Sequence, residues 1–590
     1  MTTTTTPEQA APLPTTVTLL DGLFTYAAER HPRQLIGSTD PARALPFARL
    51  EHDGLALAAA LLERGARRGT PVVFPAGDAA DFFPVLNAIV SLGAIAVPVS
   101  ARAGRNPASA ARLRHIVEDC EAALVLADDD AVPVLRDVLP GVPTRPLTEL
   151  LTAARAAGPP ATPPPGLRPA DRDPGDLALI QYTSGSTSQP RGVALTHRNV
   201  LAALRIIPAA LRPRATDVIS HWLPLSHDLG LFGTLAAMGC GIRVCLSQPR
   251  DFIKQPDAWL AASCEAGATI LVGPDFFYQY LVEAVPADEV TRYDLSGVRM
   301  ALNGAEPIDP AGLDLFARHF APAGFRREAQ IPCYGLAEAT LPVSFDSPLR
   351  PPAVDWVDRA ALNDTLKAVP AGTGGRGVVN CGTPAPGVEV RVTAGGDVLP
   401  ERSVGEIEIR GEAVTAGYYR ETEPSARPGG WRGTGDLGYL ADGCLHITGR
   451  SKEILILAGQ NHYPQDIEDA VREAPGLFRR SAVAVVLPAD PGAGLPERIG
   501  VFAEVASEGP HTDTVTAIRR TAAEVLGGAS VDVVLLPALG ISRTTSGKFQ
   551  RLLMRKRLLD GTLDNAIAHI TAAEVLSAPG PGRGGAPSHG

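Results

Sequence analysis

At 590 residues the chain exceeds one ordinary domain and has room for about three or four core units. Its 45% hydrophobic and 20% charged composition is that of a globular protein, and a net charge of −10 argues against nonspecific binding to nucleic acid or an anionic membrane. The seven cysteines form no Cys-x-x-Cys pair, which disfavours a disulfide framework or a zinc site, and Met1 to Thr6 lacks the pattern of a signal peptide, so a cytoplasmic location is expected.

Residues 1–16 read as disordered. Apolar spacing predicts helices over Leu19 to Arg30 and Leu50 to Arg64. Short buried strands are predicted over Val72 to Pro75, Ala94 to Val99 and Ala123 to Ala127, which is the alternation of a layered α/β unit. Phe82 to Val99 carries no charge, but Pro84, Gly93 and Pro98 interrupt it, so it reads as a buried helix and strand rather than a membrane span. Ala157 to Asp176 is crowded with proline and reads as a surface connector.

After the apolar run Leu177 to Ile180 comes Gln181 to Gly192, Gln-Tyr-Thr-Ser-Gly-Ser-Thr-Ser-Gln-Pro-Arg-Gly, and then a helix-like segment from near Thr196. Glycines let a backbone approach an oxyanion, N–H groups and hydroxyls donate to it, and Arg191 balances charge, so the stretch suits a phosphate cradle. The same residue types also make ordinary solvated loops. It is not a Walker A loop, because Pro190 sits where the second glycine belongs and the cation precedes the final glycine.

Asn199 to Leu211 is predicted helical, and strand–helix alternation continues to about residue 345. Residues 346–380 are less regular. Gly372 to Gly377 matches GxGxxG in form only, since strand-like Val378-Val379 follows it. Val388 to Tyr439 is β-like, and Gly449 to Ile456 reads as a junction. Predicted helices Pro464 to Arg472 and Ala517 to Val525, with strands Ser481 to Leu487, Gly500 to Val505 and Val531 to Leu536, form a small α+β unit. Ala578 to Gly590 is rich in glycine and proline and reads as disordered. Only five of the 54 basic residues are lysine, so a lysine inside a motif stands out.

Four later strings bear on the loop: Cys333-Tyr-Gly-Leu-Ala-Glu338-Ala-Thr340, Gly433-Thr-Gly-Asp436-Leu-Gly438, Gly449-Arg-Ser-Lys452-Glu453 through Gln460 to Glu468, and Thr544-Thr-Ser-Gly-Lys548. In this order the five strings resemble the adenylate-forming superfamily of acyl-CoA synthetases, peptide-synthetase adenylation domains and luciferases, from about residue 20 to 560. Trp222 to Gly230, Asn303 to Pro307, Tyr334 to Leu341 and Asn461 to Glu468 are similar to the fatty acyl-AMP ligase branch. That branch carries an insertion where residues 346–380 fall. In the family this insertion hinders the movement needed for CoA use, and the acyl group goes to a carrier protein's phosphopantetheine.

The resemblance implies ATP and Mg²⁺ as cofactors and a role for each matching residue. Thr183, Ser184, Gly185, Ser186 and Thr187 hold phosphate, with Arg191 where the family usually has lysine and Ser188 where it has glycine. The substitutions Ser188→Gly and Arg191→Lys, which restore the family pattern, are therefore expected to lower the Michaelis constant for ATP. Glu338 is the implied Mg²⁺ ligand, and hard cations favour carboxylate oxygen. Gly304, Ala305, Glu306, Tyr334 and Gly335 line the adenine pocket, unless Gly304 to Glu306 is an ordinary turn and Tyr334 a core residue. Asp436 and Arg450 meet the ribose. Lys548 meets the reacting carboxylate and the α-phosphate, and Lys452 occupies the hinge position. His227 beside Phe232 gates the acyl pocket or is a satisfied structural histidine. Phe276 and Phe277 line an acyl tunnel or belong to the core. His462 has no assigned role, and the cysteines read as structural.

The expected fold is α/β and α+β multidomain. It has a large adenylation domain, 17–449, of layered α/β subdomains plus a β-rich subdomain, a small mobile α+β domain, 450–577, and a disordered tail, 578–590. The implied function is activation of a fatty acid to its acyl-adenylate and transfer to a separate acyl carrier protein, by a monomer or weak dimer with no membrane span and no nucleic-acid partner. A fatty or aryl acyl-CoA synthetase and a degenerate nucleotide-binding scaffold are the alternatives.

Overall fold

The structure, a computed structural model, describes the chain apart from residues 1–7, 163, 169–170, 184–188, 349, 373, 422–425, 428, 458–459, 490–495, 507–510, 530, 545–546 and 572–590; at 107, 108 and 426 it describes the backbone alone. The chain divides into two units, Met1–Ser451 with Thr545–Lys548, and Lys452–Thr544 with Phe549–Gly590. The division expected after residue 449 thus falls after Ser451, and the segment bearing Lys548 groups with the first unit. The predicted tail, 578–590, lies outside the described residues.

The first unit is built on two mainly parallel sheets and one antiparallel sheet. A six-stranded sheet runs in the order Thr144–Pro146, Leu124–Ala127, Pro71–Ala76, Ile95–Ser100, Leu177–Thr183 and Arg191–Thr196. Every residue of Pro71–Ala76 is buried, which is why the strand reads as an unbroken apolar run rather than an alternation. The segment that imitated a membrane span is the helix Ala79–Ser91 followed by the strand Ile95–Ser100, and among the described residues no helix is long and apolar enough to cross a membrane. A nine-stranded sheet holds parallel neighbours Gln330–Leu336, Met300–Asn303, Ile270–Gly273, Val218–His221, Arg243–Leu246 and Leu35–Gly37, with antiparallel strands at both edges. The antiparallel sheet contains Val388–Ala394, Gly405–Gly411, Trp431–Ala441 and Cys444–Arg450, the region that reads as β-like.

Three expectations are corrected. The stretch Gln181 to Gly192 does not lead from a strand into a helix: it joins two antiparallel strands, with Thr183 opposite Arg191 and Tyr182 opposite Gly192, and the helix His197–Leu211 comes after the second. Val193 and Leu195 alternate inward from Arg191–Thr196, a period-2 signal too short to stand out beside the helix that follows. Residues 8–16, expected to be disordered, are tied down, with Ala10 donating to the Pro213 carbonyl at 2.9 Å and Ala10 and Leu13 buried. Residues 346–380, expected to be less regular, contain ordered elements: Val354–Val357 and Arg376–Val379 form an antiparallel pair around the helix Arg359–Thr365. The proline-rich connector runs over the surface as expected, its described residues exposed or half-buried except Leu167, and it is anchored where the Arg172 side chain is buried against both oxygens of Asp21, at 2.8 and 3.0 Å.

The second unit is a four-stranded sheet, Leu477–Leu487, Arg498–Val505, Val531–Pro537 and Ala568–Ile570, with the helices Pro464–Val471 and Thr512–Val525. Ile467, Val471, Ile518 and Ala522 from those helices join Val501 and Val533 from the strands in one buried cluster.

Candidate active site

In parallel sheets the groups that meet ligands gather at the carboxyl ends of strands. In the nine-stranded sheet those ends carry Gly304 to Glu306 after Met300–Asn303, Pro274 to Phe276 after Ile270–Gly273, and Tyr334 to Glu338 at the end of Gln330–Leu336. The Glu306 carboxylate accepts the Phe276 N–H at 2.7 Å, in the first turn of the helix Asp275–Ala284, where an anion is favoured. Asn303 donates to Asp275 at 2.9 Å and fixes the same turn. Ala305, Thr340 and Leu341 adopt positive φ, of 75°, 50° and 98°, so strained backbone brackets Tyr334 to Glu338. Gly335 admits no side chain, since a Cβ there would fall 2.0 Å from the Leu341 carbonyl oxygen.

Tyr334 donates its hydroxyl to Asp436 at 2.6 Å, and Arg450 Nε lies 3.0 Å from the other Asp436 oxygen. The Asp436 carboxylate is buried, and its own N–H donates to Thr434 Oγ1 at 3.1 Å. Burial and the Asp436 charge push the Tyr334 phenol well above its ordinary value, so it stays protonated and donates. This fixes a carboxylate between a phenol and a guanidinium at the meeting of the parallel and antiparallel sheets, an arrangement suited to accepting hydroxyl donors.

Glu338 sits on a short 3-10 turn, Ala337–Ala339, and accepts the Tyr418 hydroxyl at 2.6 Å. Arg191 stacks on the Tyr418 ring, 3.5 Å from its centre, and pairs with Glu421 at 2.9 Å. A Mg²⁺ held mostly by phosphate oxygens takes one or two carboxylates from its protein, so a single oriented Glu338 fits, and a group of three metal-binding side chains, absent among the described residues, is not required.

Lys548 feels the carboxylates of Asp228, Glu306 and Asp436 and the guanidinium of Arg450; burial lowers its pKa, and the carboxylates oppose that. Gly547 beside it has φ of 91°, and a Cβ there would meet the Phe276 ring at 2.5 Å. His227 immediately precedes the helix Asp228–Gly239, and burial lowers its pKa to about 4, so it is neutral near pH 7.

The predicted acyl-pocket residues separate. Phe232 and Phe277 are fully buried in the main core, Phe277 against Phe252, Trp259 and Tyr278, whereas Phe276 is only partly buried. Ser184, Gly185, Ser186, Thr187 and Ser188 lie outside the described residues; Thr183 ends the strand Leu177–Thr183. Lys452 is exposed on a 3-10 turn at the start of the second unit. Cys333 is not an activated thiol, because burial pushes it up to about 12.

Sequence reasoning missed Tyr418, Glu421 and Arg432, whose guanidinium lies 4.9 Å from the Tyr418 ring centre. The available signal was Gly417-Tyr-Tyr-Arg420, a doubled tyrosine in a chain with only 5% aromatic residues.

Comparison with known proteins decides the family. Residues 24–419 match the AMP-binding enzyme family. The chain belongs to that family. It is 32% identical over 565 residues to the long-chain-fatty-acid–AMP ligase FadD32 of Mycolicibacterium smegmatis, covering 86% of this chain and 87% of the relative. It is 35% identical over 419 residues to the medium-chain-fatty-acid–[acyl-carrier-protein] ligase JamA of Moorena producens, 67% of this chain and 70% of that one. A Caulobacter vibrioides protein provisionally named an acyl-CoA synthetase is 32% identical over 543 residues, 88% of this chain and 91% of its own. A solved chain from a study of fatty acyl-adenylate ligases of E. coli and L. pneumophila superposes with a TM-score of 0.83 at 30% identity, covering 94% of this chain and 99% of its own. The adenylate-forming fold and the likeness to the fatty acyl-AMP ligase branch therefore stand.

Proposed function

We propose that this AMP-binding enzyme activates a fatty acid with ATP and Mg²⁺ in the cytoplasm and passes the acyl group to the phosphopantetheine thiol of a separate acyl carrier protein. The observation that carries the reading is the Tyr334–Asp436–Arg450 cluster, with Lys548 under the charges of Asp436 and Arg450, in an AMP-binding fold.

In the first step a fatty acid oxygen attacks the α-phosphorus of ATP, the bond to the β-phosphate oxygen breaks, and pyrophosphate leaves. Two anions must meet, so the site must neutralise and orient them. Asp436 accepts the ribose hydroxyls. Lys548 sets its ammonium between the carboxylate and the α-phosphate, and the carboxylates of Asp228, Glu306 and Asp436 favour its charged form there. Arg191 and Thr183 meet the departing phosphates. Glu338 would hold Mg²⁺, which when bound offsets phosphate charge. In the second step the carrier thiol attacks the acyl carbonyl and AMP leaves. The names of the FadD32 and JamA relatives support a fatty acid and a carrier acceptor.

The test supplies ATP, Mg²⁺ and a fatty-acid panel with either CoA or a phosphopantetheinylated carrier. Acyl-adenylate, pyrophosphate and acyl-carrier thioester are expected. Robust acyl-CoA would overturn the carrier assignment in favour of an acyl-CoA synthetase, and no adenylate from any fatty acid would overturn the substrate class. Lys548→Ala should slow ATP–pyrophosphate exchange by about a hundredfold or more.

A further inference from the structure

The segment Thr415 to Glu421 is stitched to two separate parts of the first unit. Tyr419 N–H donates to the Gly192 carbonyl at 2.7 Å, Ala194 N–H to the Gly417 carbonyl at 3.2 Å, and Val193 and Tyr418 form an isolated bridge. On the other side Thr415 N–H donates to the backbone carbonyl of Glu338 at 2.8 Å, and Thr340 Oγ1 to that of Ala413 at 2.6 Å. The Tyr418 side chain stands where these meet. Its ring carries the Arg191 guanidinium at 3.5 Å and its hydroxyl reaches Glu338 at 2.6 Å. Glu421 completes the set, accepting Arg191 at 2.9 Å and the Tyr418 N–H at 3.2 Å.

We infer that Tyr418 is a positioning residue that holds two reactive groups at once, Arg191 through its ring face and Glu338 through its hydroxyl. This rests on the reading of Arg191 as a phosphate-binding cation and Glu338 as the metal ligand. The chemistry suits the task. A guanidinium is planar and stacks on an aromatic face, whereas an ammonium is a compact point charge, so an arginine at this position gains an orientation from Tyr418 that a lysine would lack. The phenol oxygen carries one hydrogen to donate, and at 2.6 Å from Glu338 that hydrogen goes to the carboxylate, which can only accept when ionised. A carboxylate turned by one fixed donor presents its remaining oxygen to a cation, as outer hydrogen bonds orient metal ligands elsewhere. The Arg-for-Lys departure from the family pattern is thus matched by a partner that only arginine can use fully.

The two functions of the side chain can be separated. Tyr418→Phe keeps the ring and removes the hydroxyl; Tyr418→Leu removes both. ATP binding by the full-length protein is measured calorimetrically across a Mg²⁺ titration and in EDTA, with Glu338→Gln and Arg191→Ala as references and thermal unfolding as the check on folding. Tyr418→Phe should raise the half-saturating Mg²⁺ about five- to tenfold and leave ATP affinity in EDTA unchanged. Tyr418→Leu should also weaken binding in EDTA, by about two- to fivefold. If Glu338→Gln shifts the Mg²⁺ requirement and Tyr418→Phe does not, the positioning role is overturned while the metal assignment stands. If neither shifts it, the metal assignment falls and this inference falls with it. If Arg191→Ala weakens binding in EDTA and Tyr418→Leu does not, the ring's role is overturned.

Discussion

The Arg191 guanidinium is held on two sides, by the Tyr418 ring at 3.5 Å and by Glu421 at 2.9 Å. Its contact with solvent screens the ion pair, so the stack contributes more to its orientation than the charge pairing does. The motif alone argued that lysine at this position would improve ATP binding; the stack argues the reverse sign. Arg191→Lys should raise the Michaelis constant for ATP by about two- to fivefold with a small effect on kcat, measured by pyrophosphate exchange. Asp436 is held differently, buried between the Tyr334 hydroxyl and Arg450. Tyr334→Phe removes one donor from a buried carboxylate and should cost about 1–3 kcal/mol in thermal or urea unfolding, while the ring itself remains.

Two elements have anchors that the local sequence does not reveal. The chain around Lys548 is pinched at its base by the Arg543–Phe549 bridge, and Gln550 N–H donates to the Ser542 carbonyl at 2.9 Å. That base is fastened to Glu504, fully buried in the strand Arg498–Val505, which accepts the Ile541 N–H at 2.8 Å and Arg543 at 3.0 and 2.9 Å. Glu504→Ala would leave Arg543 without its buried partner and should destabilise the second unit by about 3–5 kcal/mol in urea. The second element is the pair Val354–Val357 and Arg376–Val379. Asp355 accepts the Tyr439 hydroxyl at 2.7 Å and Arg402 at 2.9 Å, and Arg376 donates to the Thr448 carbonyl at 2.8 Å. Deleting residues 346–380 should therefore lower the melting temperature, because Tyr439 and Thr448 lose buried partners. A deletion variant that keeps the parent melting temperature would contradict that coupling.

For the molecule as a whole, buried neutral histidines add to the loss of stability in acid. His197 accepts the Leu20 N–H at 3.0 Å, and burial lowers its pKa to about 4; His221 accepts the Leu223 N–H at 3.2 Å, and burial lowers its pKa to about 3. Both folded values lie below the ordinary 6.5, so between those limits the unfolded chain binds more protons. Stability from these sites is complete above about pH 6.5 and falls as pH drops towards 4, at about 1.4 kcal/mol per unit of depression. Urea midpoints measured from pH 7.5 to 4.5 should decline, and His197→Gln should flatten the slope. By itself the sequence determined what depends on neighbours along the chain. The strand–helix alternation, the Tyr334-to-Glu338 and Gly433-to-Gly438 strings and the scarce lysine at 548 are local patterns, and they were enough to name the family's chemistry. The tertiary structure decided what depends on pairing across long separations: the burial of Ala10 and Leu13, the strand made by Arg191 to Thr196, the ordered pair within 346–380, and the junction at Tyr418. Short strands and single side chains carry too few residues for a periodic signal, and a hydrogen bond between Tyr418 and Glu338 exists only once folding closes the loop between them.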